Sequence, residues 1–218
     1  MLHGTASAEQ ENQSRELKRG QLSLFKEVLM TRIAPLDPQT TSGQAKHLFD
    51  GVQGKLGAVP NLIRVLGNAP AALKGYLSFS AALADGGFSP KVREQLALTV
   101  AETNQCAYCL SAHSFLGGKL GLTQQELADA RKATAVDQRT EAILKLAQGI
   151  VARRGVLEST ELKQARQAGL TDGEIVEAIA HVALNIFSNY INHVAGTVID
   201  FPEVSLSNEC ASSSCACD

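Results

Sequence analysis

Ser89-Pro-Lys-Val-Arg-Glu-Gln-Leu-Ala-Leu-Thr-Val-Ala-Glu-Thr-Asn-Gln-Cys-Ala-Tyr-Cys-Leu-Ser-Ala-His113 is the stretch from which both fold and chemistry are read. It opens with a hydroxyl residue followed by proline. Ser89 can accept an unpaired N–H at a helix start, and Pro90 fits the first helical position because it has no N–H to leave unsatisfied. Val92, Leu96 and Val100 then recur at helical spacing on one side, so a helix is expected to about Asn104. Asn104 and Gln105 interrupt it. Cys106 then falls in the turn or first residues of the next helix, and Cys109 in its first turn, with two helices meeting at the cysteines.

The same punctuation recurs from Gln44 onward. Thr123 with Glu126 and Thr171 with Glu174 have capping-box spacing, and Gly155 and Gly169 stand where helices stop. One long helix is expected from about Thr171 to Thr197. Its stripe Ile175, Ile179, Val182 and Ile186 is read as core or subunit interface. Period-2 runs bounded by hairpin turns are nearly absent, so the fold class is all-α. Ser14 to Ile33 carries Leu17, Leu22, Leu24, Phe25, Val28 and Leu29 at roughly helical spacing, and the Pro-rich run Ala34 to Gly43 reads as a linker. The expected organisation is an N-terminal arm, helix and linker over 1–43, a helical domain over 44–202, and a flexible Cys-rich tail over 203–218.

The 218 residues, 44% hydrophobic and 19% charged, suffice for a packed core. A net charge of −2 gives no electrostatic reason for a nucleic-acid or anionic-membrane partner. No run approaches the roughly 20 apolar residues of a membrane helix, and the polar start lacks the features of a secretory signal. Two of the five cysteines lie three apart and the others crowd the end, which is no stapling framework. A soluble protein in a reducing, cytoplasmic setting is expected.

Chemistry is concentrated at Cys106, Cys109 and His113. Near a helix start the free N–H groups and the helix dipole favour a thiolate, the species that attacks. His113 follows Cys109 by four residues and shares its helix face. Cys106 can trap a sulfenic acid on Cys109 as a disulfide. Glu94, twelve residues before Cys106, returns toward His113 if the two helices form an antiparallel hairpin, and would orient the imidazole or accept its proton. Two other readings stay open. The cysteine pair could be half of a zinc site completed by His113 and a tail cysteine, or simply two inert core residues.

These residues resemble the AhpD-like alkylhydroperoxidases of the carboxymuconolactone decarboxylase superfamily. The match lies in the Glu94, Cys106, Cys109 and His113 spacing. It extends more loosely over residues 44 to 202, including Gly57-Ala-Val-Pro-Asn61 and Asn185 to Ala195. The resemblance implies an AhpD-like helical bundle, homo-oligomerisation, and reduction of a hydroperoxide without a bound cofactor. Cys109 would be the attacking sulfur, Cys106 the resolving one, and His113 with Glu94 the proton relay. A dithiol protein or small thiol would be the reductant. Tyr108 stands where some members have histidine, and Tyr108 and His193 are candidate pocket residues. His181 and His193, twelve apart on one helix, diverge by about 120° and do not share a ligand site. Cys210, Cys215 and Cys217 are candidate ligands for a thiophilic metal or metalloid, which is the alternative function. They are equally candidates to relay electrons to the Cys106/Cys109 disulfide.

Overall fold

The computed structural model describes residues 31–207. The expected helix over 14–33 and the tail cysteines Cys210, Cys215 and Cys217 lie outside, or almost wholly outside, the described residues. Within them every regular element is a helix: α1 (Gly43–Leu56), α2 (Asn61–Leu66), α3 (Pro70–Ala84), α4 (Pro90–Thr103), α5 (Ala107–Lys119), α6 (Gln124–Arg131), α7 (Gln138–Ala152), α8 (Ser159–Gln167) and α9 (Asp172–Ala195). None of them is long and apolar enough to cross a membrane.

The helix ends follow the caps. Ser89 accepts from the Val92 N–H ahead of Pro90, and Thr123/Glu126 and Thr171/Glu174 form complete capping boxes. Asp137 caps α7 in the same way by accepting from Thr140. Gly196 closes α9 in the left-handed region at φ 60°, which lets its N–H reach Asn192 O.

Helix α4 is the axis of the bundle, packed against α5, α6, α7 and α9. The sequence pattern predicts one buried side. Instead every residue from Gln95 to Glu102 is buried. A helix surrounded by four others has no solvent face, and small residues such as Ala97, Thr99 and Ala101 admit the close approach. Thr99, fully buried, satisfies its hydroxyl on Gln95 O and Ala130 O. On α9 the inward face is Ile175, Ala178, Val182, Asn185, Asn189 and Asn192. Ile179, in the stripe read as core or subunit interface, is 44% exposed in the single chain, because the face that meets α4 is rotated toward the asparagines.

The segment expected as linker and the first five residues of the segment expected as tail, 203–207, belong to the body. Leu36 exchanges hydrogen bonds with Arg64 on α2, and the Arg32 N–H donates to Ala195 O at the end of α9. At the other end, residues 203–207 are pinned to the bundle. The Val204 N–H donates to Ser111 Oγ, Leu206 is buried, and the Ser207 N–H donates to Glu102 Oε1. The boundary at 202 therefore moves to at least 207. The polar composition hid this, since the anchoring is by backbone groups and one leucine.

Candidate active site

The turn between α4 and α5 builds the centre. Gln105 takes φ 56°, uncommon for a residue with a Cβ, and brings the Cys106 N–H onto Ala101 O. Cys106 thereby becomes the N-cap of α5 and its sulfur accepts from the Cys109 N–H at 3.4 Å. The two sulfurs lie 2.6 Å apart as free thiols, the Cys106 S–H donating to Cys109 Sγ. A shift of roughly half an ångström separates them from bonding distance. Both residues are covered, at 1% and 2% exposure.

Helices α4 and α5 form the antiparallel hairpin, and it sets Glu94 against His113. The His113 Nδ1–H donates to Glu94 Oε2 at 2.8 Å, with the two side chains 22% and 18% exposed. No direct hydrogen bond joins His113 to Cys109, so His113 acts on the sulfur through its charge. Burial works against an imidazolium here, but the Glu94 carboxylate and the Cys109 sulfur outweigh it and raise the His113 pKa.

The two sulfurs are driven apart in acidity. Burial disfavours a Cys109 thiolate. The Cys106 thiol, the His113 charge and the carboxamides of Asn192 and Asn189 overcome that and bring its pKa down to about 7. Cys106 moves the other way, because its hydrogen bond to Cys109 holds its proton and burial adds to this. One proton shared between two close sulfurs cannot leave both. The arrangement favours a thiolate on Cys109 beside a protonated Cys106.

Asn192 is the residue that the sequence reading missed. Its Nδ2 donates to Cys109 Sγ at 3.2 Å from α9, 83 residues away. Asn189, fully buried one turn earlier, accepts from Asn104 Nδ2 at 2.8 Å and tethers the cysteine turn to α9. Asn192 Oδ1 has no partner, so its amide keeps hydrogen-bonding capacity in a buried place. The available signal was three asparagines at 185, 189 and 192 on one helical face, too polar for core packing alone.

Two candidate pocket residues do other work. Tyr108 points into packing: its hydroxyl accepts the Leu62 N–H at 3.1 Å and its ring meets Phe201 edge-on. His193 is exposed. Its Nε2–H donates to Asn104 O, bracing the cysteine turn from outside, because one residue of helical rotation separates it from Asn192. His181 is buried against Phe88, and burial lowers its pKa. His47 is exposed on α1, remote in sequence from the cysteines. Among the described residues no group of three or more His, Cys, Asp or Glu is placed to hold a metal ion.

An apolar cleft of about 390 Å³ opens between α3 and α9, lined by Ala72, Tyr76, Phe79, Leu184 and Phe187 among others. Burial, with the charges of Cys109 and Glu94, pushes Tyr76 up to about 12. Its phenol stays protonated at neutral pH.

Residues 70–152, which contain Glu94, Cys106, Cys109 and His113, match the model of the Carboxymuconolactone decarboxylase family. No curated protein matches the chain significantly. Among solved structures, the chain is similar to an AhpD-core, uncharacterized peroxidase-related protein from Ralstonia eutropha JMP134. That likeness has 23% identity and TM-score 0.68, over 78% of this chain and 92% of that one. A peroxidase-related protein from Silicibacter sp. TM1040 follows at 21% identity and TM-score 0.66, covering 76% and 91%. The debrominase Bmp8, in complex with 2,3,4-tribromopyrrole, has the same fold at 18% identity and TM-score 0.68, covering 79% and 93%. Residues 70–152 thus match the carboxymuconolactone decarboxylase family model, and the described residues carry the all-α, AhpD-like fold.

Proposed function

We propose that the protein is a thiol-dependent peroxidase that reduces hydroperoxides at Cys109. The observation that carries this reading is the asymmetric sulfur pair, with Cys109 lowered to about 7 and Cys106 holding its proton 2.6 Å away. The Cys109 thiolate attacks the terminal oxygen of the hydroperoxide, the O–O bond breaks, and the alkoxide leaves with a proton from the His113 imidazolium. Cys109 becomes a sulfenic acid. The Cys106 thiol then attacks that sulfur, water leaves, and the disulfide closes. An external dithiol protein or small thiol returns two electrons and two protons.

Glu94 holds His113 by Nδ1, which leaves Nε2 as the nitrogen that gives and takes the proton. The cleft of α3 and α9, lined by the protonated Tyr76, would receive an apolar substituent of the hydroperoxide. Such a cycle belongs in a reducing compartment. The self-association implied by the family resemblance is part of the reading and is measured by sedimentation.

The test is hydroperoxide consumption with a dithiol reductant. Cys109→Ser is expected to abolish turnover, while Cys106→Ser still consumes one equivalent and stops at the sulfenic acid. Unchanged turnover in Cys109→Ser overturns the assignment. Because a debrominase shares the fold, bromide release from a bromopyrrole is measured on the same proteins, and bromide release without peroxide consumption also overturns it.

A further inference from the structure

Asn192 stands in the last turn of α9, 5% exposed, and its carboxamide carries a donor and an acceptor side by side. The donor, Nδ2, is spent on Cys109 Sγ at 3.2 Å. That orientation follows from the sulfur, which takes the Cys106 S–H and is the more acidic of the pair, so it meets its neighbours as an acceptor. The amide oxygen is thereby turned to the adjacent position, and among the described residues no donor reaches Asn192 Oδ1. A buried acceptor without a donor lowers stability in every folded molecule, and a leucine of similar shape would remove the loss. Such an atom beside a nucleophile calls for a donor that arrives with the substrate.

A hydroperoxide brings that donor on the atom that reacts. Its terminal oxygen, which the Cys109 thiolate attacks, carries the O–H, while the alkyl-bearing oxygen has no proton. A near-attack oxygen stands about 3.3 Å from the sulfur. Sγ, Nδ2, Oδ1 and that oxygen then close a quadrilateral with sides of 3.2 Å to Nδ2, about 2.3 Å across the amide, about 2.8 Å for the new hydrogen bond and about 3.3 Å back to Sγ. One planar group can hold both reacting atoms. We propose that Asn192 Oδ1 accepts the O–H of the hydroperoxide and aims its terminal oxygen at Cys109 Sγ. Asn192 is then a catalytic residue, and the substrate class narrows to peroxides with a free O–H. The inference rests on the peroxidase reading above.

The contact survives the chemistry. Cys109 Sγ bonds to the terminal oxygen as the O–O bond breaks, and the electron pair of that bond leaves on the alkoxide, which takes its proton from His113. The O–H held by Oδ1 passes intact from the hydroperoxide to the Cys109 sulfenic acid. Cys106 then attacks the sulfur, and the oxygen departs as water with the Cys106 proton. Burial of Cys109 at 2% exposure keeps competing water from the hydrogen bond and strengthens it.

The experiment compares two reagents at Cys109 in the full chain, at one pH, by single-turnover kinetics with peptide mapping. One is tert-butyl hydroperoxide. The other is methyl methanethiosulfonate, which reacts with the same thiolate and has no hydrogen-bond donor. Their rate ratio cancels the thiolate fraction, and with it the effect of Nδ2 on acidity. The ratio is expected to fall at least fivefold in Asn192→Ala and to stay closer to wild type in Asn192→Asp, whose carboxylate still accepts an O–H. A smaller fall in the alanine variant, or an aspartate ratio nearer to that of alanine, overturns the contact. Wild type gives a further test that needs no folded variant: its ratio should exceed that of the free thiolate N-acetylcysteine at least tenfold, and a smaller excess overturns the proposal. Wild type that reacts with the thiosulfonate and not with the hydroperoxide sinks the peroxidase reading and this inference with it. Wild type that consumes hydroperoxide at Cys109, with a ratio untouched by Asn192→Ala, sinks the contact alone.

Discussion

Replacing Asn192 by alanine removes the 3.2 Å hydrogen bond from Nδ2 to Cys109 Sγ and leaves the rest of the centre in place. A hydrogen bond to a charged group contributes about 1.5–3 kcal/mol, and one pKa unit is 1.36 kcal/mol, so the Cys109 pKa should rise by about one to two units. From a starting value of about 7, the midpoint moves to roughly 8–9. At pH 7 the thiolate falls from about half of the molecules to between ~10% and ~1%. A more basic thiolate is intrinsically more nucleophilic, with a slope of about 0.4–0.5 per unit, so the net alkylation rate should drop only about two- to eightfold. The midpoint is therefore a sharper readout than the rate. It is measured as the pH dependence of iodoacetamide labelling at Cys109, with peptide mapping to separate it from Cys106. Asn192→Asp should raise it further than alanine does, because a carboxylate against the sulfur repels the second charge. An alanine variant that folds normally and titrates within about 0.3 unit of wild type would refute the argument, since the lost hydrogen bond to the thiolate is what sets the expected shift.

Glu94→Gln should lower the His113 pKa, because burial then acts on the imidazolium without the opposing carboxylate. Imidazole proton chemical shifts against pH measure it, and the Cys109 midpoint should rise by about one unit as the positive charge is lost. Glu102 has a folded-state pKa below its usual value, so its contribution to stability is present above the ordinary carboxylate range and fades as pH falls through the folded value. Glu102→Gln should cost up to about 3 kcal/mol at neutral pH, and the Tm gap to wild type should narrow below about pH 4. A gap that widens in acid would contradict the sign. A Cβ on Gly67 would lie 2.3 Å from Phe49 Cζ, so Gly67→Ala should lose about 1–3 kcal/mol by denaturant unfolding. Gly51→Ala, in open space inside α1, should gain up to about 1 kcal/mol in the same assay.

Local chemistry explains what could be read without a structure. Ser89-Pro90, the two capping boxes and the Asn104-Gln105 break act within one turn, so residues close in sequence determine where helices start and stop. The same holds for the shared face of Cys106, Cys109 and His113, which the helical repeat alone imposes. Glu94 lies at the edge of this range. Its place on the preceding helix was legible, but its 2.8 Å approach to His113 depends on the α4–α5 crossing. Tyr108 and His193 could not be placed from the sequence for one reason: proximity in sequence to the cysteines or asparagines says nothing about which way a side chain turns. Neighbours on a helix diverge by about 100°.

The amino-acid sequence by itself determined the all-helical class, the helix ends around the cysteines and the shared helix face of Cys106, Cys109 and His113, because each depends on contacts a few residues apart. Only the tertiary structure decided that α4 is buried on every side, that Asn192 reaches Cys109 across 83 residues, and that Glu102 holds Ser207 across 105. It also decided which sulfur gives up its proton. Two cysteines at one helix start share the same dipole, and what separates them is the charge and hydrogen bonding that α4 and α9 bring to one and not to the other.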